Sequence, residues 1–231
     1  MRIWDIDPGY LNDHDLLGEH RDIHDLVSFI TDNQKEYSVN PEAQRWKGHG
    51  WALSQRHSLI RAEMSFRGIT EDTPVTLEGK KDIWPDTLID NPEQQFILIK
   101  EKYINNEAGR IPFPENTQEL WAQHKYSVMA RDPSLYKSIG GTAAGLKKYD
   151  LFGELSDKLM KLLQASPEKS RVRNSLQHMW GYVSEYSEMS SNKVNSGDLK
   201  SLLIEIQRLS KKHNIKYLLH STALVEIGAW L

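Results

Sequence analysis

The sequence predicts an all-α protein built as two helical units, on three observations. Apolar residues recur at helical spacing along most of the chain, alternating β-branched runs bounded by turns are absent, and a Gly/Pro-rich stretch from Gly109 to Pro114 interrupts the helical pattern near its middle. The expected units are residues 1–110 and residues 117–231. With 231 residues, 39% of them apolar, the chain has material for one or two cores, which excludes disordered and collagen-like classes.

The elements follow in order. After the turn Asp7-Pro8-Gly9, Asn12 or Asp13 can cap a helix whose apolar positions Leu16, Ile23, Val27 and Ile30 share a stripe with His20 and which ends near Asn33. A second helix runs from Gly50 to Arg67 on Leu53, Leu59, Ile60 and Phe66, with Gly68 as its stop. Residues 70–91, holding Pro74, Gly79 and Pro85, read as a loop. Pro92 then opens a helix to about Asn105 that buries Phe96, Ile99 and Tyr103. Beyond the linker, helical periods cover Thr117–Arg131, Pro133–Leu146, Leu151–Gln164, Pro167–Met189, Ser196–His213 and Ile215–Ala229.

Composition narrows the chemistry. The absence of cysteine removes disulfides, thiolate nucleophiles and Cys-ligated metals together. No window approaches 18 consecutive apolar residues and the first residues carry no hydrophobic stretch, so a cytoplasmic protein without membrane contact is expected. Residues 1–117 carry 13 basic and 21 acidic side chains, residues 118–231 carry 16 and 11, and the whole chain is at −3. Within the acidic half, Arg45, Lys47, Arg56, Arg61 and Arg67 stand against Glu63 alone over residues 44–67, a patch suited either to an anion or to a solvated helix face.

Three constellations can carry chemistry. An α-amine titrates near pH 7.7–8.0, so much of it is an unprotonated, imine-forming nucleophile at neutral pH, and here Arg2 follows Met1 at once. The segment Glu19-His20-Arg21-Asp22-Ile23-His24-Asp25 packs acids, bases and cations into less than two turns. His20 and His24 at i, i+4 have the spacing of a metal pair, but no HExxH surrounds them and no metal is assigned. Trp46-Lys47-Gly48-His49-Gly50-Trp51 interleaves aromatic and basic residues, a pattern that suits stacking on bases beside phosphate contacts and equally suits packing anchors. The glycines at 140, 141 and 145 lack the order of a phosphate loop, and no nucleotide is assigned to them.

Two resemblances then emerge. Met1-Arg2, Leu16-Leu17-Gly18-Glu19-His20-Arg21-Asp22, Gly48-His49-Gly50 and the helix ending at Arg67-Gly68-Ile69 resemble the pyrimidine-dimer DNA glycosylase (endonuclease V-like) family over residues 1–75. The resemblance implies an all-helical unit that cuts the glycosidic bond at a damaged base and nicks the abasic site through an imine to the N-terminal amine. It places Met1 as nucleophile, Arg2 on a phosphate-contacting Arg, and Arg21-Asp22 on an Arg-Glu pair whose acid is catalytic. Asp22 stands where that family has Glu, one methylene shorter, and Asp25 stands where it has a further Arg. His124-Lys125-Tyr126-Ser127-Val128-Met129-Ala130, Tyr136-Lys137-Ser138-Ile139-Gly140 and Arg173-Asn174-Ser175-Leu176-Gln177-His178-Met179-Trp180-Gly181-Tyr182 resemble the YbgA-like bacterial helical domain, whose role is unsettled. There Lys125, Asn174, Gln177 and His178 form either a second polar site or a buried network fixing helix register.

Together these features favour a DNA glycosylase and abasic-site lyase on double-stranded DNA. Met1 and Asp22 would be catalytic, and Arg2, Arg21, Arg45, Lys47, His49, Trp51, Arg56 and Arg61 would bind DNA, with no metal or organic cofactor needed. The Met1 nitrogen is expected within about 6 Å of the Asp22 carboxylate, in a groove rimmed by Arg2, Arg21 and His49. The alternatives are a non-catalytic helical repair accessory, and an enzyme on free modified nucleobases.

Overall fold

A computed structural model of the chain describes residues 1–31, 39–71, 73–104, 107–140 and 152–231. The sequence expectations at Asn33, Asn105, Gly141, Gly145, Leu146 and Leu151 lie outside the described residues. The fold is all-α, with no strand among the described residues, and it divides into two compact units, Met1–Gly109 and Arg110–Leu231. No helix among the described residues is long and apolar enough to cross a membrane.

The first unit opens on an extended segment, residues 1–6, and a 3-10 turn over Pro8–Tyr10 capped by the Asp7 side chain. Helices α1 (Asp13–Thr31), α2 (Pro41–Trp46), α3 (Gly50–Arg67) and α4 (Pro92–Lys102) follow. Helix α1 packs mainly on α3, and Leu16, Ile23 and Leu26 of the first and Leu53, Ile60 and Met64 of the second are buried. Each such side chain contributes roughly 1.5–3 kcal/mol by leaving water. Helix α3 ends where the sequence places its stop, with Gly68 left-handed at φ 84° and its amide bonded to the Met64 and Ser65 carbonyls. Helix α2 is absent from the sequence expectation because six residues hold no full apolar period. Its signal was the Asn40-Pro41 start, where Asn40 Oδ1 accepts the amides of Glu42 and Ala43.

The second unit contains α5 (Thr117–Met129), α6 (Pro133–Gly140), α7 (Phe152–Leu163), α8 (Lys169–Trp180), α9 (Ser191–Ser196), α10 (Leu199–Lys212), α11 (Lys216–Leu219) and α12 (Ala223–Glu226), with 3-10 turns at Ser184–Tyr186 and Ile227–Trp230. Helix α5 packs on α6, α7 and α8, and α10 packs on α8. Two expected single helices are broken. Pro167–Met189 stops at Gly181, and Ile215–Ala229 is interrupted because Arg110 takes the Leu219 and Ser221 carbonyls while the Thr222 amide and hydroxyl donate to the Gln123 carbonyl.

Candidate active site at the N-terminus

An extended segment has no ladder of its own, so its backbone groups must find partners elsewhere. Here side chains supply them. The amide of Arg2 donates to Asp22 Oδ2 at 2.7 Å, that of Ile3 to Glu42 Oε1 at 3.2 Å, that of Trp4 to Glu19 Oε1 at 3.3 Å and that of Asp5 to Gln95 Oε1 at 2.8 Å. The carbonyls of Ile3 and Ile6 accept from Arg45 and Arg56. Helices α1, α2, α3 and α4 therefore each hold the segment by at least one side chain. The result is a fixed terminus: the Met1 nitrogen lies 4.0 Å from Asp22 Oδ2.

The Arg2 side chain lies beside this pair. Its Nη1 is 2.8 Å from Asp90, its guanidinium sits 4.5 Å above the Trp4 ring, and its Nε and Nη2 make no hydrogen bond among the described residues. Arg21 is exposed and donates to the Leu17 carbonyl of its own helix. His49 Nδ1 lies 3.3 Å from the Ile83 carbonyl, and the Trp51 ring meets Trp84 edge-on at 6.2 Å. These two hold the 70–91 loop. Gly50 belongs to the same contact, because a Cβ there would lie 2.3 Å from the Glu78 carbonyl oxygen. Lys47 is exposed, and Arg61 donates to the Glu71 carbonyl.

Arg45 and Arg56, expected on the DNA-binding face, are a correction. Arg45 is 6% and Arg56 3% exposed. Arg45 binds Asp5, Glu42 and the Thr87 carbonyl, and Arg56 makes a bidentate pair with Glu19 at 2.7 and 2.9 Å. A guanidinium without protein partners could not stay buried, so the carboxylates that hold the N-terminal segment also neutralise these two cations. Burial pushes the Glu19 and Glu42 carboxyls up, against the pull of Arg56 and Arg45.

A second cluster lies between α1 and α3. His57 Nε2 stands 3.1 Å from His20 Nε2 and 3.2 Å from His24 Nε2, and one nitrogen from each ring falls within 4.8 Å of the others. Burial and the neighbouring imidazoles push His57 down to about 3, and burial also lowers His20. Of these three, only the His20–His24 pair is visible in the sequence.

Residues 1–77 match the family model described as pyrimidine dimer DNA glycosylase. Residues 125–226 match a second model, described as protein of unknown function (DUF1722). No curated protein and no solved structure matches the chain. The first match gives the N-terminal unit a DNA-glycosylase-like relationship, and DNA is the partner it suggests.

In this glycosylase-like unit, sequence reasoning missed Glu42, Gln95 and His57, whose partners here lie 33 to 90 residues away. No local pattern marks such residues. In the second unit, contacts divide the four polar candidates. Lys125 Nζ sits 4.9 and 4.8 Å from the Tyr126 and Tyr217 rings, Gln177 donates to Asn195, and Asn174 and His178 are exposed. The buried network of this unit is instead Arg131 with Glu226, bidentate at 2.9 Å, beside the Ser127–Thr222 hydroxyl pair at 2.8 Å.

Proposed function

We propose that the N-terminal unit is a cytoplasmic DNA glycosylase with abasic-site lyase activity, acting on double-stranded DNA that carries base damage or abasic sites. The observation that carries this reading is the Met1 nitrogen held 4.0 Å from Asp22 Oδ2, within the stretch that matches pyrimidine dimer glycosylases. In the proposed reaction the Met1 nitrogen bonds to C1′ of the damaged nucleotide as the C1′–N bond breaks, and the base leaves with the bonding pair and takes up a proton from solvent. Asp22 accepts a proton from the attacking amine and returns it to the ring oxygen as the sugar opens to the imine. Asp22, again a carboxylate, then takes a C2′ proton as the C3′–O bond breaks and the 3′ phosphate leaves, and hydrolysis of the imine frees the amine. Arg2 and Arg21 would bind the flanking phosphates, with Lys47 and Arg61 adding salt-sensitive backbone affinity.

The test is borohydride trapping of untagged protein on abasic-site DNA. A covalent adduct whose DNA maps to the Met1 peptide is expected; an active enzyme that yields no adduct contradicts the imine route.

The burial of Arg45 and Arg56 favours a second reading, the same amine and carboxylate acting on a free modified nucleobase or nucleotide. A salt titration separates the two. Affinity for DNA falls steeply between about 50 and 200 mM salt when several phosphates are contacted, whereas a small-molecule site barely responds.

A further inference from the structure

We propose that His20, His24 and His57 form a binding site for one divalent transition-metal ion, zinc foremost, that clamps α1 to α3. The inference stands on the imidazole cluster alone and does not depend on the glycosylase reading.

An imidazole nitrogen offers either one lone pair or one N–H. His57 Nε2 faces two other Nε2 atoms at 3.1 and 3.2 Å, so a hydrogen bond can satisfy one of these contacts and leaves the other unfavourable. A cation at the centre gives every lone pair a bond. Zinc–nitrogen bonds of about 2.0–2.1 Å at tetrahedral angles set ligand nitrogens about 3.3–3.4 Å apart, and the two separations here lie just inside that value. The rings meet at steep or moderate angles, 63°, 31° and 89°, with centroids 4.6 to 4.9 Å apart, so they converge by their nitrogen edges rather than stacking.

The chemistry of the donors selects the ion. Imidazole suits zinc, copper, nickel and iron, whereas calcium and magnesium require oxygen ligands that the three side chains lack. His20 and His57 are 4% and 1% exposed and His24 is half-buried, which leaves a fourth position to water on the His24 side. Glu71 bears on His20 as an attracting anion, and Arg61 and Arg21 oppose it, so the surroundings are not uniformly cationic.

The helical period puts Asp22 on the opposite side of α1 from His20 and His24. The ion therefore works by fixing α1 on α3, its main packing partner, and it does not touch the amine. His20, His24 and His57 are positioning residues in this account.

Full-length untagged protein, stripped with a chelator, is titrated with Zn²⁺ in competition with a chromophoric chelator, and its thermal unfolding is followed with and without the metal. One Zn²⁺ per chain, a raised midpoint and a four-coordinate d–d spectrum with Co²⁺ are expected. His24→Ala and His24→Gln, at the half-buried position, are expected to weaken Zn²⁺ binding by about 100-fold or more while leaving the unfolding of the stripped protein unchanged. His14→Ala, at an exposed histidine of the same helix, should bind like the parent. The proposal is overturned if the stripped protein binds none of Zn²⁺, Co²⁺, Ni²⁺ and Cu²⁺ stoichiometrically, or if the His24 variants bind as tightly as the parent.

Discussion

The α-nitrogen of Met1 lies 4.0 Å from Oδ2 of Asp22, the same oxygen that accepts the Arg2 amide at 2.7 Å. One carboxylate thus does two things: it anchors the first peptide unit and stands beside the amine. Glu19 of the same helix also holds the extended segment, its Oε1 accepting the Trp4 amide. Asp22→Asn keeps an oxygen for the Arg2 amide and removes the proton-transfer group. We expect it to slow single-turnover nicking of abasic-site DNA by about 100- to 10,000-fold without loss of thermal stability. Nicking at the parental rate would exclude Asp22 from the chemistry.

Arg56 and Glu19 are each more than nine-tenths buried, and removing one partner leaves the other charge uncompensated. Arg56→Ala is predicted to destabilise the protein by about 3–5 kcal/mol in urea unfolding, whereas exposed Lys47→Ala should stay within about 0.5 kcal/mol. A small effect at Arg56 would mean that the guanidinium does not hold the Ile6 carbonyl and Glu19 in solution.

Among the cations proposed to meet phosphates, Arg61, half-buried with its Nε donating to the Glu71 carbonyl, should on replacement by alanine reduce the slope of DNA affinity against salt by about one unit, uniformly across sequences. Arg45 lies under the surface with Asp5 and Glu42 and does not belong to that set. Affinity measurements from low to physiological salt decide the point.

In the second unit, burial pushes the His124 imidazole down to about 4. The unfolded chain binds its proton near pH 6.5, so between pH 6.5 and 4 the unfolded state holds more protons and stability falls as the pH falls. The loss attributable to this side chain is on the order of 3 kcal/mol across that window. His124→Gln should flatten the pH dependence of unfolding there, and an unchanged slope would refute the assignment.

How far the sequence carried can be seen at particular residues. Gly68 was legible because a left-handed stop needs glycine and the helical period ends there. Since no neighbour lies within 4 Å of its missing Cβ, Gly68→Ala should cost only the conformational penalty, roughly 1–2 kcal/mol in thermal unfolding. The Met1–Asp22 proximity was legible through the resemblance of residues 1–75 to the glycosylase family, which sets Met1 on its nucleophile and Asp22 on its acid. Arg45 and Arg56 were misread because a cationic patch in sequence carries no record of the acids that fold against it. His57 was invisible because its partners lie 33 and 37 residues away on another helix. The breaks at Gly181 and at Ser221-Thr222 arise from turn geometry and from side chains that claim helix carbonyls, and neither alters the apolar period.

The most direct test of the central claim is to compare untagged protein with the same chain carrying an acetylated or extended amino terminus, at matched fold and DNA affinity. With the Met1 nitrogen as the nucleophile, both modified forms lose abasic-site nicking and the borohydride adduct while the untagged form retains them. Equal nicking by all three forms would contradict the account.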